Sequence, residues 1–236
     1  MADGNGTVVL AHGAWADGSS WGKVIGLLRA RGVRAVAAAL PLSSLADDVA
    51  ALDRCLERVE GPVVLAGHAY AGAVIAESRC EKVGSLVYIA ALALDQGETV
   101  ADVFYRAAPH PKAPKLAPDA HGMIWLPAQA FSEAFAPRAS AEEQAVLAAV
   151  QRPIAAACIG VKVGLPRWRD LPSWFLLAGE DRMIAGETQR FMANRMRATL
   201  ETHPVDHMPL VTAPDVVAGI ILRAAAETIS RQGRTG

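Results

Sequence analysis

The chain has 236 residues, 52% of them hydrophobic and 20% charged, and its 23 Lys+Arg against 24 Asp+Glu leave a formal net charge of −1. That balance excludes a disordered chain, which needs low hydrophobicity and high net charge. It also offers no surplus of cations for nucleic acid or an anionic membrane, so a small or acyl-type substrate is the better expectation.

Met1–Gly6 is short and polar, without the basic, apolar and cleavage regions of a secretory leader. Thr7–Ala11 (TVVLA) reads as a buried strand. Trp21–Ala30 reads as a helix with Trp21, Val24, Ile25 and Leu28 on one face, and Val33–Ala38 as a second strand. Ser44 and Asp47 have the spacing of a capping box. Leu45, Val49, Leu52, Leu56 and Val59 follow it as a helical stripe that Gly61 and Pro62 end. Val63–Ala66 is the third strand, Tyr70–Arg79 a helix and Leu86–Ala91 the fourth strand. This alternation predicts an α/β fold, a mostly parallel, doubly wound sheet covered on both faces.

From about Leu94 to Pro172 the rhythm breaks. Pro109, Pro111, Pro114, Pro118, Pro127, Pro137 and Pro153 crowd a stretch with one helical piece near Ala141–Val150 and no strand of the earlier type. It reads as a small helical cap inserted into a single domain. The alternation resumes with the strand Trp174–Ala178, a helix over Glu187–Met196, the strand Thr199–His203 and a last helix, for which Thr212 and Asp215 are spaced as a capping box.

Cys55, Cys80 and Cys158 are odd in number and widely spaced, which suggests neither a disulfide framework nor a zinc knuckle. Free thiols in a reducing, cytoplasmic compartment are the expectation. No run of about 18 apolar residues predicts a membrane span.

Ligands of open α/β sheets bind at the C-terminal ends of the strands, and there the unusual residues gather. HGAWADGSSW (His12–Trp21) follows the first strand. GHAYAG (Gly67–Gly72) lies between a strand and a helix and would match the GxSxG elbow with Ser at 69 and Gly at 71. GEDRMI (Gly179–Ile184) and VDHMPL (Val205–Leu210) follow the last two strands. Along the chain they present a nucleophile position, an acid and a histidine.

On these motifs the chain resembles the small α/β-hydrolase family that includes plant methyl esterases, hydroxynitrile lyases and many bacterial esterase-like proteins. HGAWADGSSW is similar to that family's oxyanion loop, VVLAGHAYAGAVI to its GHSYGGxVI elbow, QRPI (Gln151–Ile154) to its cap exit, SWFLLAGEDRMI to its acid loop and DHMPL to its histidine loop. The resemblance covers nearly the whole chain. It implies carboxylic-ester hydrolysis without metal or other cofactor, on a small ester or related carbonyl compound. His207 would be the general base, Asp181 the acid that orients it, and the N–H groups of Ala14 and Tyr70 the oxyanion hole. In the hydroxynitrile lyases a lysine follows the catalytic histidine; here Met208 does, as in the esterase branch. A homodimer is left open.

The departure is Ala69, which has no oxygen and cannot form an acyl-enzyme. Three accounts stand open: a serine replaced to inactivate an esterase, a native alanine in a lyase, isomerase or cyclase that uses His207 as base without a serine, and a non-catalytic ligand-binding homologue. Ala71, where the elbow has glycine, is small enough to be tolerated.

Beside these, Trp15, His12, His68, Trp125 and Met208 are the substrate-side candidates. Structural roles compete for several of them, with the rings of His12 and His68 bonded to backbone and the cap residues Met123, Trp125, Leu126, Phe131 and Phe135 simply packed. Glu180 and Asp206 are rivals of Asp181, but Asp206 adjoins His207 and is poorly placed to reach its ring. His203 and His207 are four apart on a strand and a loop, which is not the geometry of a helical metal site.

Overall fold

The computed structural model describes residues 6–232, so most of the polar Met1–Gly6 lead-in lies outside the described residues. A six-stranded, wholly parallel sheet forms in the order β2-β1-β3-β4-β7-β8. Its strands are β1 (Thr7–Ala11), β2 (Arg34–Ala38), β3 (Val63–His68), β4 (Val83–Ile89), β7 (Ser173–Ala178) and β8 (Thr199–His203). Strands from both sides of the proline-rich stretch thus share one sheet. The main helices are α1 (Gly22–Ala30), α2 (Leu45–Glu57), α3 (Ala71–Glu77), α8 (Gly186–Arg195) and α10 (Pro214–Gln232).

Why the sheet is covered twice can be read from alternate residues. Val8 and Leu10 of β1, Val64 and Ala66 of β3, and Val87 and Ile89 of β4 pack with Trp21, Val24 and Leu28 and with the Val217, Ile220 and Ile221 stripe of α10. Their neighbours Val9, Leu65, Leu86, Tyr88 and Phe175 face the other way, against Leu52 and Leu56 of α2 and Val74 of α3. Each such aliphatic side chain contributes roughly 1.5 to 3 kcal/mol on burial, so period-two alternation in the strands divides the core into two layers.

Between β4 and β7 the chain forms α4 (Val100–Phe104), β5 (Met123–Ile124), α5 (Ala128–Ala130), a π turn at Phe131–Phe135, α6 (Ala141–Val150), β6 (Ile154–Ala155) and α7 (Ala156–Gly160). No strand is expected there, yet β5 and β6 pair antiparallel, Met123 with Ala155 and Ile124 with Ile154. Two residues a side are too short for periodicity to show.

The caps differ from expectation in two places. Ser44 does accept from Asp47 N–H, at 3.1 Å, but the Asp47 carboxylate turns to the Ser43 hydroxyl and closes no box. Thr212 caps nothing. It lies in α9 (Pro209–Thr212) and its hydroxyl donates to Asp206 at 2.6 Å, because Pro209 opens a short helix before Pro214 opens the long one. Complete capping boxes stand instead at Thr99/Asp102 and Ser140/Glu143. No described helix is long and apolar enough to cross a membrane.

Candidate active site

From β1 the sheet order runs one way to β2 and the other way to β3. At that switch point the chain leaves both central strands, opening a crevice at their C-terminal ends. Ala69 follows β3 with a φ of 49°, in the left-handed region that alanine seldom enters. The turn is held from three sides: Ala69 N–H donates to Ile89 O at 3.3 Å, and Ala69 O accepts from Gly72 N–H at 3.1 Å and Leu92 N–H at 2.9 Å. Glycine is required on either side. A Cβ on Gly67 would stand 2.9 Å from Ala71 O, and one on Gly72 would run into Leu92 O. Ala71 itself is buried and accommodated. The loop after β1 meets this elbow at Gly13, where a Cβ would lie 2.9 Å from that of Ala69.

His207 arrives from the loop after β8 and Asp181 from the loop after β7. Nδ1 of His207 donates to Asp181 Oδ2 at 2.8 Å, with both side chains almost wholly buried. A carboxylate only accepts, so this bond leaves Nε2 as the basic nitrogen of the ring. Asp181 is itself fixed by three more donors: Met183 N–H at 2.7 Å, Ile184 N–H at 2.9 Å and Gln189 Nε2 at 2.9 Å. Gln189 on α8 also accepts from Ala178 N–H at 3.0 Å, which ties the acid loop back to β7. Nothing in the sequence singles out Gln189, because a buried glutamine inside a helix has no motif of its own.

His68 lies beneath His207. Its ring stands 4.9 Å from that of His207, and its Nε2 donates to the His207 carbonyl at 2.7 Å. Burial, with His207 close by, holds its pKa well below the usual histidine value. His12 donates from Nδ1 to Gly13 O at 3.0 Å and accepts from Leu40 N–H at Nε2, 3.1 Å away; burial lowers its pKa too. Both rings are therefore neutral braces of the backbone. Asp206 reaches Met208 N–H, the Thr212 hydroxyl and Arg138 N–H instead of the imidazole, and Glu180 pairs with Arg138 at the surface.

A cavity of about 320 Å³ opens over the elbow, lined by Ala14, Trp15, Ala69, Tyr70, Met183 and His207 from the sheet side and by Phe104, Leu116, Ile124 and Ile154 among others from the 94–172 stretch. No charged residue lines it. Trp15 donates its indole N–H to Ile124 O at 2.9 Å and its backbone N–H to Arg152 O at 2.9 Å, so it joins the loop after β1 to the 94–172 stretch. His12, His68, Trp125 and Met208, expected at the substrate, stand outside this wall. Trp125 is half exposed and donates to Asp119 at 3.1 Å. Met208 is buried in the core. Phe131 and Phe135 pack rather than line: Phe135 touches Trp15 edge-on, ring centres 6.2 Å apart, and lies 5.4 Å from the His207 ring. Among the described residues no three His, Cys, Asp or Glu gather as a metal site.

Residues 8–220 match the model described as the alpha/beta hydrolase family. The chain belongs to that family. Solved structures of similar shape include polyneuridine aldehyde esterase (18% identity, covering 93% of this chain and 98% of that one, TM-score 0.80). A pyrethroid hydrolase from Sphingobium faniae JZ-2 (21%, 94% and 98%, 0.78) and a methylesterase from Arabidopsis (17%, 93% and 99%, 0.75) are similar as well. At these identities the likeness establishes a shared fold. No curated protein matches by sequence. In this alpha/beta hydrolase Ala69, Asp181 and His207 follow β3, β7 and β8, with alanine at the centre of the turn.

Proposed function

We propose that this alpha/beta hydrolase carries a carboxylic-ester hydrolase site that binds a neutral ester or related carbonyl compound, with Ala69 at the nucleophile position. The observation that carries the reading is that His207, already paired with buried Asp181, lines the same apolar cavity as Ala69 on its left-handed elbow. The solved relatives described as esterases and a pyrethroid hydrolase lend it support. In this proposal the N–H groups of Ala14 and Tyr70 take the carbonyl oxygen, and the 94–172 stretch acts as a cap on one domain. With a serine at 69, His207 Nε2 would remove its proton as the oxygen attacks the carbonyl, and the imidazolium would return that proton to the departing alcohol. Water, deprotonated by the same nitrogen, would then cleave the acyl-enzyme to release the acid and restore the serine. With alanine the same site holds the ester without an acyl-enzyme.

Ala69→Ser is the direct test. Hydrolysis of short-chain aryl esters is expected to rise roughly 10³-fold or more over the alanine chain, and His207→Ala in that background to remove the gain. A serine variant no faster than the alanine chain overturns the reading. A second reading, with His207 as base in a lyase, isomerase or cyclase, rests on the His207–Asp181 pair being complete without a serine. It predicts turnover by the alanine chain that His207→Ala abolishes and Ala69→Ser leaves no faster.

A further inference from the structure

Behind Tyr70, on the side of its ring hydroxyl, lies a carboxylate that the chemistry above does not use. Asp48 stands in the first turn of α2 and is wholly buried. Its Oδ1 accepts Leu42 N–H at 2.6 Å. Its Oδ2 accepts the Tyr70 hydroxyl at 2.7 Å and the Cys158 thiol at 3.8 Å. Those donors come from three separate parts of the chain: the loop after β2, the elbow, and α7 of the insertion. Among the described residues Asp48 enters no ion pair. A buried carboxylate without a cation carries a desolvation cost, and burial raises its pKa. An apolar residue here would avoid that cost but strand the buried Tyr70 hydroxyl, the Cys158 thiol and the Leu42 amide.

Tyr70 is where this bears on chemistry. It lines the cavity, and its backbone N–H immediately follows the nucleophile position. Leu42 matters for the opposite wall. It sits at φ 61°, and while Asp48 holds its N–H, its carbonyl accepts Ala155 N–H at 2.9 Å, between the lining residues Ile154 and Ala156. We propose that Asp48 is a positioning residue: it braces Tyr70, and with it the amide offered to the substrate's carbonyl oxygen, and it seats the 154–156 wall of the cavity against the elbow. The proposal rests on the ester and carbonyl reading above for the identity of the bound group.

Two variants of nearly unchanged shape test it. Tyr70→Phe removes the hydroxyl and keeps the charge of Asp48; Asp48→Asn keeps an acceptor for Leu42 and removes the charge. The readout is the infrared carbonyl stretch of acetophenone, isotopically labelled at its carbonyl carbon and bound to the chain with Ala69. The bound frequency is expected below that in water for the unaltered protein, and to move back toward it in both variants, with the double variant no further than either single one. In the Ala69→Ser background both variants should lower kcat roughly tenfold, with KM unchanged, as a misaligned oxyanion donor does. A bound-ketone frequency that is the same in the unaltered protein and in both variants overturns the proposal. So does Asp48→Asn lowering the frequency further while Tyr70→Phe leaves it alone, since Asp48 would then act only as a charge. No lowering in the unaltered protein defeats the oxyanion reading, and this proposal with it; lowering that survives both variants defeats the role of Asp48 alone. If Asp48→Asn fails to fold, Tyr70→Phe still decides.

Discussion

A left-handed backbone costs alanine about 1 to 2 kcal/mol that glycine does not incur, and Ala69 at φ 49° bears that cost. Ala69→Gly should therefore raise unfolding free energy by about 1 kcal/mol in a denaturant titration, less what the unfolded chain gains in entropy; a clear loss would mean the elbow is relaxed as it stands. His12 and His68 give a pH signature. Both are held neutral in the fold, whereas an unfolded imidazole takes a proton near its ordinary value of 6.5. Below pH 6.5 the unfolded chain thus binds more protons, and stability falls on acidification by about 1.4 kcal/mol per pH unit for each histidine until its folded pKa is reached; above that window neither contributes. His68→Gln, which keeps a donor for the His207 carbonyl, should shrink the stability difference between pH 7.5 and 5.5 measured by urea unfolding. An undiminished difference would show that His68 titrates normally in the fold. At this scale the motif positions were legible: Ala69, Asp181 and His207 fall on one site because each follows a strand. Gln189 and Asp48 were not, since what distinguishes them is the company they keep in space.

Among the elements, the elbow is held by the absence of side chains. Gly72→Ala would drive a methyl group into the Leu92 carbonyl, backbone against backbone, and should cost about 3 kcal/mol. Gly26→Ala, in α1 with open space around the new methyl, should instead gain several tenths of a kcal/mol from helix propensity. Thermal unfolding of the two variants checks the contrast, and equal shifts would refute it. Strand and helix existence was legible from apolar runs and 3.6-residue stripes, with ends moved by a few residues: Leu86–Ala91 became Val83–Ile89, and Tyr70–Arg79 became Ala71–Glu77. The Thr212/Asp215 spacing misled because a proline at 214 and a competing acceptor, Asp206, decide that turn. The β5–β6 pair was illegible because its partners lie thirty residues apart and alternate over no more than one step.

For the molecule as a whole, alternation of strands and helices announced a parallel sheet, but the order β2-β1-β3-β4-β7-β8 depends on contacts that no local pattern encodes. The walls of the cavity were likewise read least well, since they come from the insertion, where packing rather than period chooses which apolar residue faces inward. The observed lining makes one property plain: it is apolar and holds no lysine or arginine. A neutral aryl ester near a hundred times its Kd should stabilise the chain with Ala69 by about 2.7 kcal/mol, read as a higher melting temperature, while the corresponding free carboxylate, with no lysine or arginine to meet it, should leave the melting temperature unchanged. Equal stabilisation by both would require a charged group at the wall.

The strained turn at residue 69 also bears on descent. Alanine and serine codons can differ by a single first-position base, and the two side chains differ by one oxygen. Because the left-handed conformation is imposed by Gly67, Gly72 and the carbonyls around them, and not by residue 69, either residue inherits the same backbone. A lineage can therefore exchange alanine and serine at this position in one mutational step, gaining or losing a hydroxyl over the cavity with no rebuilding of the scaffold on the way.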